Sequence, residues 1–236
     1  MIKTDFHIEP DDEEFKKVAG PKIERILKSE RNRKAYEAAK ADLLDAVTPK
    51  AAWNCFKIKD VNNGKVVLED NTEIGSEYVQ ETIRGAHYLL VVVITIGDEV
   101  ECRAKKYMKN GKMFHGILLD SFGSWATDSV RKQFASWIRK KMHSENGFRT
   151  SIALSPGETK WPLQGQSAIF DLLSEETAKI GVRLRESLMM LPIKSLSFVI
   201  GTGPDKLGKE KGMNCQFCEL RQTCRYQNMR ASNEGE

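Results

Sequence analysis

The sequence predicts a mixed chain of helices and strands built around a buried sheet, and three observations carry this. Residues 88–97, "YLLVVVITIG", are an unbroken apolar run rich in β-branched residues, which suits a strand covered on both faces. "AAWNCFKIKDV" and "KVVLED" flank Asn62-Asn63-Gly64, the signal of a tight hairpin. Phe114, Leu118, Phe122, Trp125, Phe134, Trp137 and Ile138 fall mostly on one stripe of a long helix spanning 112 to about 143.

The other elements follow in chain order. Residues 11–48 read as helix interrupted near Gly20 and Pro21, with Ile23, Ile26, Leu27, Tyr36, Ala39, Leu43 and Leu44 at helical spacing and Pro49 ending the run. Residues 1–75 are expected to form an N-terminal helical and hairpin section packed on the rest. Ser76 caps a short helix ahead of the apolar strand. Asp98 and Glu99 open the next helix and Gly111 closes it. Gly123 sits inside the long helix, where glycine costs roughly 1 kcal/mol relative to alanine, so close packing or a ligand is expected there. "FRTSIAL" alternates like a strand, "QSAIFDLL" is a short helix, and "IGVRLRESLMMLP" with "KSLSFVIG" reads as a final β pair. The tail from about 202 is polar and glycine-rich, and is expected to be ordered only around its cysteines.

The totals exclude several classes. With 236 residues, 40% hydrophobic and 30% charged, the chain can bury a core. No apolar run approaches the roughly 20 residues of a membrane span. "MIKTDFHIEPDDEEF" lacks a signal-peptide pattern, so a cytoplasmic protein is expected. The net charge of +4 is spread over tracts such as "VRKQFASWIRKK", which read as solvated helix faces and not as a nucleic-acid footprint. No phosphate-binding loop, dinucleotide fingerprint or zinc-protease motif occurs, and His7, His87, His115 and His143 stand isolated.

Five cysteines, an odd number without a secretion signal, argue against a disulfide framework. Cys215, Cys218 and Cys224 crowd together as C-x2-C-x5-C. That spacing suits an iron–sulfur cluster or zinc, with Cys55, Cys102 or His115 as a fourth ligand if the fold brings one near; reduced, metal-free thiols are the alternative.

Five segments, "TIGDEVE" (95–101), "GILLDSFGSWATDSV" (116–130), "LSPGETKWPL" (154–163), "IFDLL" (169–173) and "IGVRLRESLMMLPIKSLSFVIG" (180–201), in this order and spacing resemble the activation domain of cobalamin-dependent methionine synthase, in its free-standing form from anaerobic bacteria. The resemblance covers roughly residues 76–201 and implies an α+β fold, a twisted, mainly antiparallel sheet with surrounding helices. It implies an S-adenosylmethionine site and a partner, a methionine synthase or related corrinoid methyltransferase, whose cobalamin is capped and reductively reactivated. The family's loop is Arg-x-x-Pro-Gly-Tyr. Here Ser155, Pro156 and Gly157 fit it, while Ala153 stands at the arginine position and Glu158 at the tyrosine position. Arg149 lies four residues back, roughly 13 Å along a strand, and Arg183 or Arg185 could approach instead. Glu186, Ser187 and Asp128 match further ligand-contacting positions; Met189 and Met190 read as core filling. The rival reading is a corrinoid-protein binding or electron-delivery module that no longer takes S-adenosylmethionine; a blander one is an α+β domain whose cleft serves another metabolite.

Overall fold

The computed structural model describes residues 1–20, 22–158 and 160–211. In chain order the elements are β1 (Ile2–Lys3), α1 (Asp12–Ala19), α2 (Ile23–Ile26), α3 (Glu30–Ala46), β2 (Lys50–Asn62), β3 (Lys65–Leu68), β4 (Glu73–Ile74), α4 (Glu77–Ile83), β5 (Tyr88–Thr95), α5 (Glu99–Lys109), α6 (Met113–Asn146), β6 (Arg149–Thr150), α7 (Gly165–Leu172), α8 (Ser174–Ile180), β7 (Arg183–Leu184), β8 (Met190–Leu191) and β9 (Ser195–Gly203). This is the α+β arrangement of helices around an antiparallel sheet that the resemblance implies. The sheet runs β4-β3-β2-β5-β9-β6, with β1 added against β2, and every pairing is antiparallel.

Alternation along β5 explains its unbroken apolar run. Leu90, Val92 and Ile94 face one core, shared with Phe15 of α1, Leu43 of α3 and Phe122, Phe134 and Ile138 of α6. Leu89, Val91 and Val93 face a second core, closed by Val79 and Ile83 of α4, Ile169 of α7 and Ile180 of α8. Helices on both faces remove the need for polar positions. The hairpin forms as read, with Asn63 and Gly64 at φ 47° and 76°, the left-handed pair that a tight two-residue turn requires.

Packing accounts for the glycines of α6. A Cβ on Gly123 would lie 2.8 Å from Val100 Cγ1 of α5 and 3.3 Å from Lys194 Cε, and one on Gly116 would lie 2.7 Å from the Ala104 carbonyl oxygen. The buried Lys194 ammonium is held by Asp120 and by Ser124 Oγ, each at 2.9 Å.

Three expectations are corrected. The segment 180–201 is not one β pair: β7 pairs with β8 in a separate hairpin, while β9 pairs with β5 and β6. "FRTSIAL" is strand only at Arg149–Thr150, with an isolated bridge from Leu154 to Val199. Order past 202 is not confined to the cysteines. β9 continues to Gly203, and residues 206–211 form a strap across the end of α4, with Gly208 N–H donating to the Arg84 carbonyl at 3.0 Å and Lys209 N–H to the Thr82 carbonyl at 2.9 Å. The cause is close packing: Leu207 is only 2% exposed, and a Cβ on Gly85 would come within 2.8 Å of the Lys206 carbonyl oxygen.

Candidate functional site

The turn at 154–161 is fixed from both ends. Leu154 exchanges two backbone hydrogen bonds with Val199 of β9, at 3.0 and 2.8 Å, which ties the turn to the sheet. Glu158 N–H donates to the Ser155 carbonyl at 3.1 Å, Gly157 N–H to the Trp161 carbonyl at 2.8 Å, and Trp161 N–H to the Glu158 carbonyl at 3.0 Å. Gly157 takes φ 85°, a left-handed conformation that glycine adopts without strain. Ser155 and Pro156 are buried, and Trp161, 3% exposed, joins the second core, its indole so close to Gly165 that a side chain there would clash with it.

Tyr78 of α4 joins this turn, and nothing in the sequence singled it out. Lys209 of the strap places its ammonium 4.2 Å from the Tyr78 ring centroid. Burial first, and then the Glu158 carboxylate, push the Tyr78 hydroxyl above its ordinary pKa. Lys209 also accepts, through its carbonyl, the Ile152 N–H at 2.9 Å. The strap therefore stitches α4 to the segment leading into the turn.

The other expected ligand residues lie elsewhere. Asp128 is on α6, where Arg131 reaches its Oδ1 at 2.8 and 2.9 Å and Lys132 its Oδ2 at 3.5 Å. Lys132 also meets Glu14 of α1 at 3.6 Å, so the carboxylate sits in an ionic cluster of the helical layer. Ala153 packs against the core of that same layer, whereas Leu154 and Trp161 pack against the other. Glu186 and Ser187 are exposed in the turn between β7 and β8, and Glu186 opens onto a groove with Asp171, Arg183 and Arg185 that the 154–161 turn does not line. Met189 is exposed and Met190 half-buried, so Met189 does not fill a core. Arg149 is held by Glu210 at 2.6 Å.

Cys215, Cys218 and Cys224 lie outside the described residues. Among those described, no group of three His, Cys, Asp or Glu side chains could hold a metal. Cys55 is half-buried in β2, Cys102 is exposed on α5, and His115 on α6 is paired with Asp42 at 2.7 Å and packed against the Tyr107 ring. Burial pushes the Cys55 thiol up to about 11. Iodoacetamide at pH 8 followed by peptide mass mapping is expected to label Cys102 well before Cys55; equal rates would show that the β2 thiol is not sheltered.

The fold class is thus an antiparallel sheet with helices on both faces and a strand-tethered Pro-Gly turn at one edge. Among solved structures the chain is similar to a crystal structure of the MetH reactivation domain bound to AdoHcy, with a TM-score of 0.56 and 16% sequence identity over 77% of this chain and 70% of that one. The likeness is one of fold, and it extends beyond residues 76–201. No family model and no curated protein matches the chain. No helix among the described residues is long and apolar enough to cross a membrane.

Proposed function

We propose that the protein binds S-adenosylmethionine at the 153–158 turn and serves as an accessory for reductive reactivation of a corrinoid methyltransferase, capping the corrinoid that its partner carries. The observation that carries this reading is the turn itself: Ser155, Pro156 and Gly157 follow directly on Leu154, which is bonded to β9 at one edge of the sheet, in a fold similar to that of a domain bound to AdoHcy. S-adenosylmethionine would supply a methyl group to the partner's cobalt after its one-electron reduction, leaving as S-adenosylhomocysteine. This chain's part is positioning. Gly157 offers a close backbone approach without a side chain, and the Glu158 carboxylate places negative charge where a sulfonium-bearing ligand would lie. With Ala153 at the position where the family has arginine, the ligand's carboxylate must be met by a cation or an N–H group; Glu186, Ser187 and Asp128 remain proposed contacts for other groups of the ligand.

The test is calorimetric titration of S-adenosylmethionine and S-adenosylhomocysteine into the whole protein. Saturable heat in the micromolar range is expected. Gly157→Trp should weaken it by about tenfold or more, because a side chain there is strained at φ 85° and a Cβ already meets Leu163 Cδ1 at 3.2 Å. Silence at millimolar ligand would overturn the reading.

The electron-delivery alternative draws on the strap. Lys211 is the last described residue of the strap, and Cys215 follows four residues later in the sequence. An iron–sulfur cluster or zinc on Cys215, Cys218 and Cys224 would be joined to the chain through the strap. Iron, sulfide and zinc analysis of anaerobically prepared protein decides this: matched iron and sulfide favours electron delivery, zinc a structural knot, and neither metal sinks both.

A further inference from the structure

The far end of α6 forms a groove with no part in the reading above. Its volume is about 600 Å³, and Arg139, Lys140, His143, Arg149, Lys211 and Glu210 line it. Four permanent cations thus face one carboxylate, and Arg149 engages that carboxylate at 2.6 Å. Among the described residues Arg139, Lys140 and Lys211 have no acidic partner within ion-pair distance. The negative end of the α6 dipole amounts to about half a charge, too little to balance three. Like charges gathered in a concavity raise a focused positive potential, an arrangement that favours an anionic ligand.

Each of the two exposed guanidinium groups has a protein partner. Arg139 donates through Nε to Oγ1 of the buried Thr150 at 3.3 Å. Arg149 is braced by Glu210, whose other oxygen accepts the Leu207 N–H at 2.8 Å. A guanidinium fork matches the paired oxygens of a phosphate. Phe148, stacked on Tyr88 at 5.9 Å between centroids, gives the groove an apolar wall. The volume falls in the usual range of small-molecule sites, and a concave shape suits such a ligand better than the flat acidic surface of a protein.

We propose that this groove binds a phosphate-bearing small molecule of nucleotide size. The test titrates ADP, inorganic pyrophosphate and adenosine into the full chain by calorimetry at low and at physiological salt. ADP and pyrophosphate should bind saturably, more weakly as salt rises, and adenosine should not. The double change Lys140→Gln with Lys211→Gln, at two exposed positions, should weaken ADP by about tenfold without altering the thermal melt, and Arg139→Gln should do at least as much. Lys34→Gln, a distant surface change, should leave binding intact. No saturable heat with either phosphate probe, or unchanged affinity in the double variant, overturns the proposal. So does polyglutamate binding that ADP fails to displace, which would make the groove a protein-docking surface. The groove shares no residue with the 153–158 turn, so ADP binding without S-adenosylmethionine binding would keep this site and sink the earlier reading.

Discussion

Replacing Phe122 by alanine should destabilise the protein by about 3–5 kcal/mol, the largest loss expected of any single change considered. Phe122 is fully buried in the first third of α6. Phe15 of α1 stacks on it with ring centroids 4.0 Å apart, and Tyr36 of α3 meets it edge-on at 5.3 Å. One ring therefore joins three helices of the first core, α1, α3 and α6. Its removal leaves a void that two other aromatic rings can fill only by leaving their own places, so both the transfer and cavity contributions apply. The loss is a large share of the total stability of an ordinary domain. A drop of roughly 10 °C or more in the melting temperature is the expected reading. A shift near zero would show that α1 and α3 are not clamped to α6 through this ring.

The strap should be nearly as sensitive. Gly208→Val places a side chain against the Glu81 carbonyl, and even a Cβ would lie within 3.1 Å of the Thr82 carbonyl oxygen. These are backbone atoms of α4 and cannot turn aside. Residues 206–211 should lift, exposing Leu207 and taking the Lys209 ammonium off Tyr78, at a cost of about 2–3 kcal/mol. Limited proteolysis should then cut between 203 and 211 under conditions where the parent chain resists. Unchanged protection would mean that the strap accommodates the side chain by sliding, and that its hold on α4 is weak.

What the sequence disclosed follows from how far apart the interacting residues lie. β5, the Asn63-Gly64 hairpin and α6 declare themselves because their signals are local: an apolar run, a turn pair, a stripe. The misassigned segment 180–201 shows the opposite. Adjacency suggested that 180–192 pairs with 194–201, yet β9 aligns Val199 with Val91, far back in the chain. Both partners are buried along nearly their whole length, and such strands carry no mark of which other they will meet. α8 went unread because "SEETAKI" buries little beyond Thr177 and Ile180. The strap went unread because one leucine in a polar tract looks like nothing. At the candidate site, the Pro-Gly turn was legible and its neighbours were not. Tyr78 and Lys209 meet only once α4 and the strap are packed, and the basic groove draws on α6, β6 and residue 211 together, so its members read as scattered solvated charges.

The position of β5 has a consequence for biosynthesis. Its partner β2 leaves the ribosome before it, so one edge can be satisfied at once. Its other partner, β9, is roughly a hundred residues downstream, an interval of about 5–20 s at ordinary elongation rates. Throughout it, β5 presents an open row of amides and carbonyls flanked by valine, leucine and isoleucine, a template for pairing with other nascent chains. Slower growth temperatures or a holdase that covers apolar strands should raise soluble yield, and truncations ending before 195 should collect in inclusion bodies.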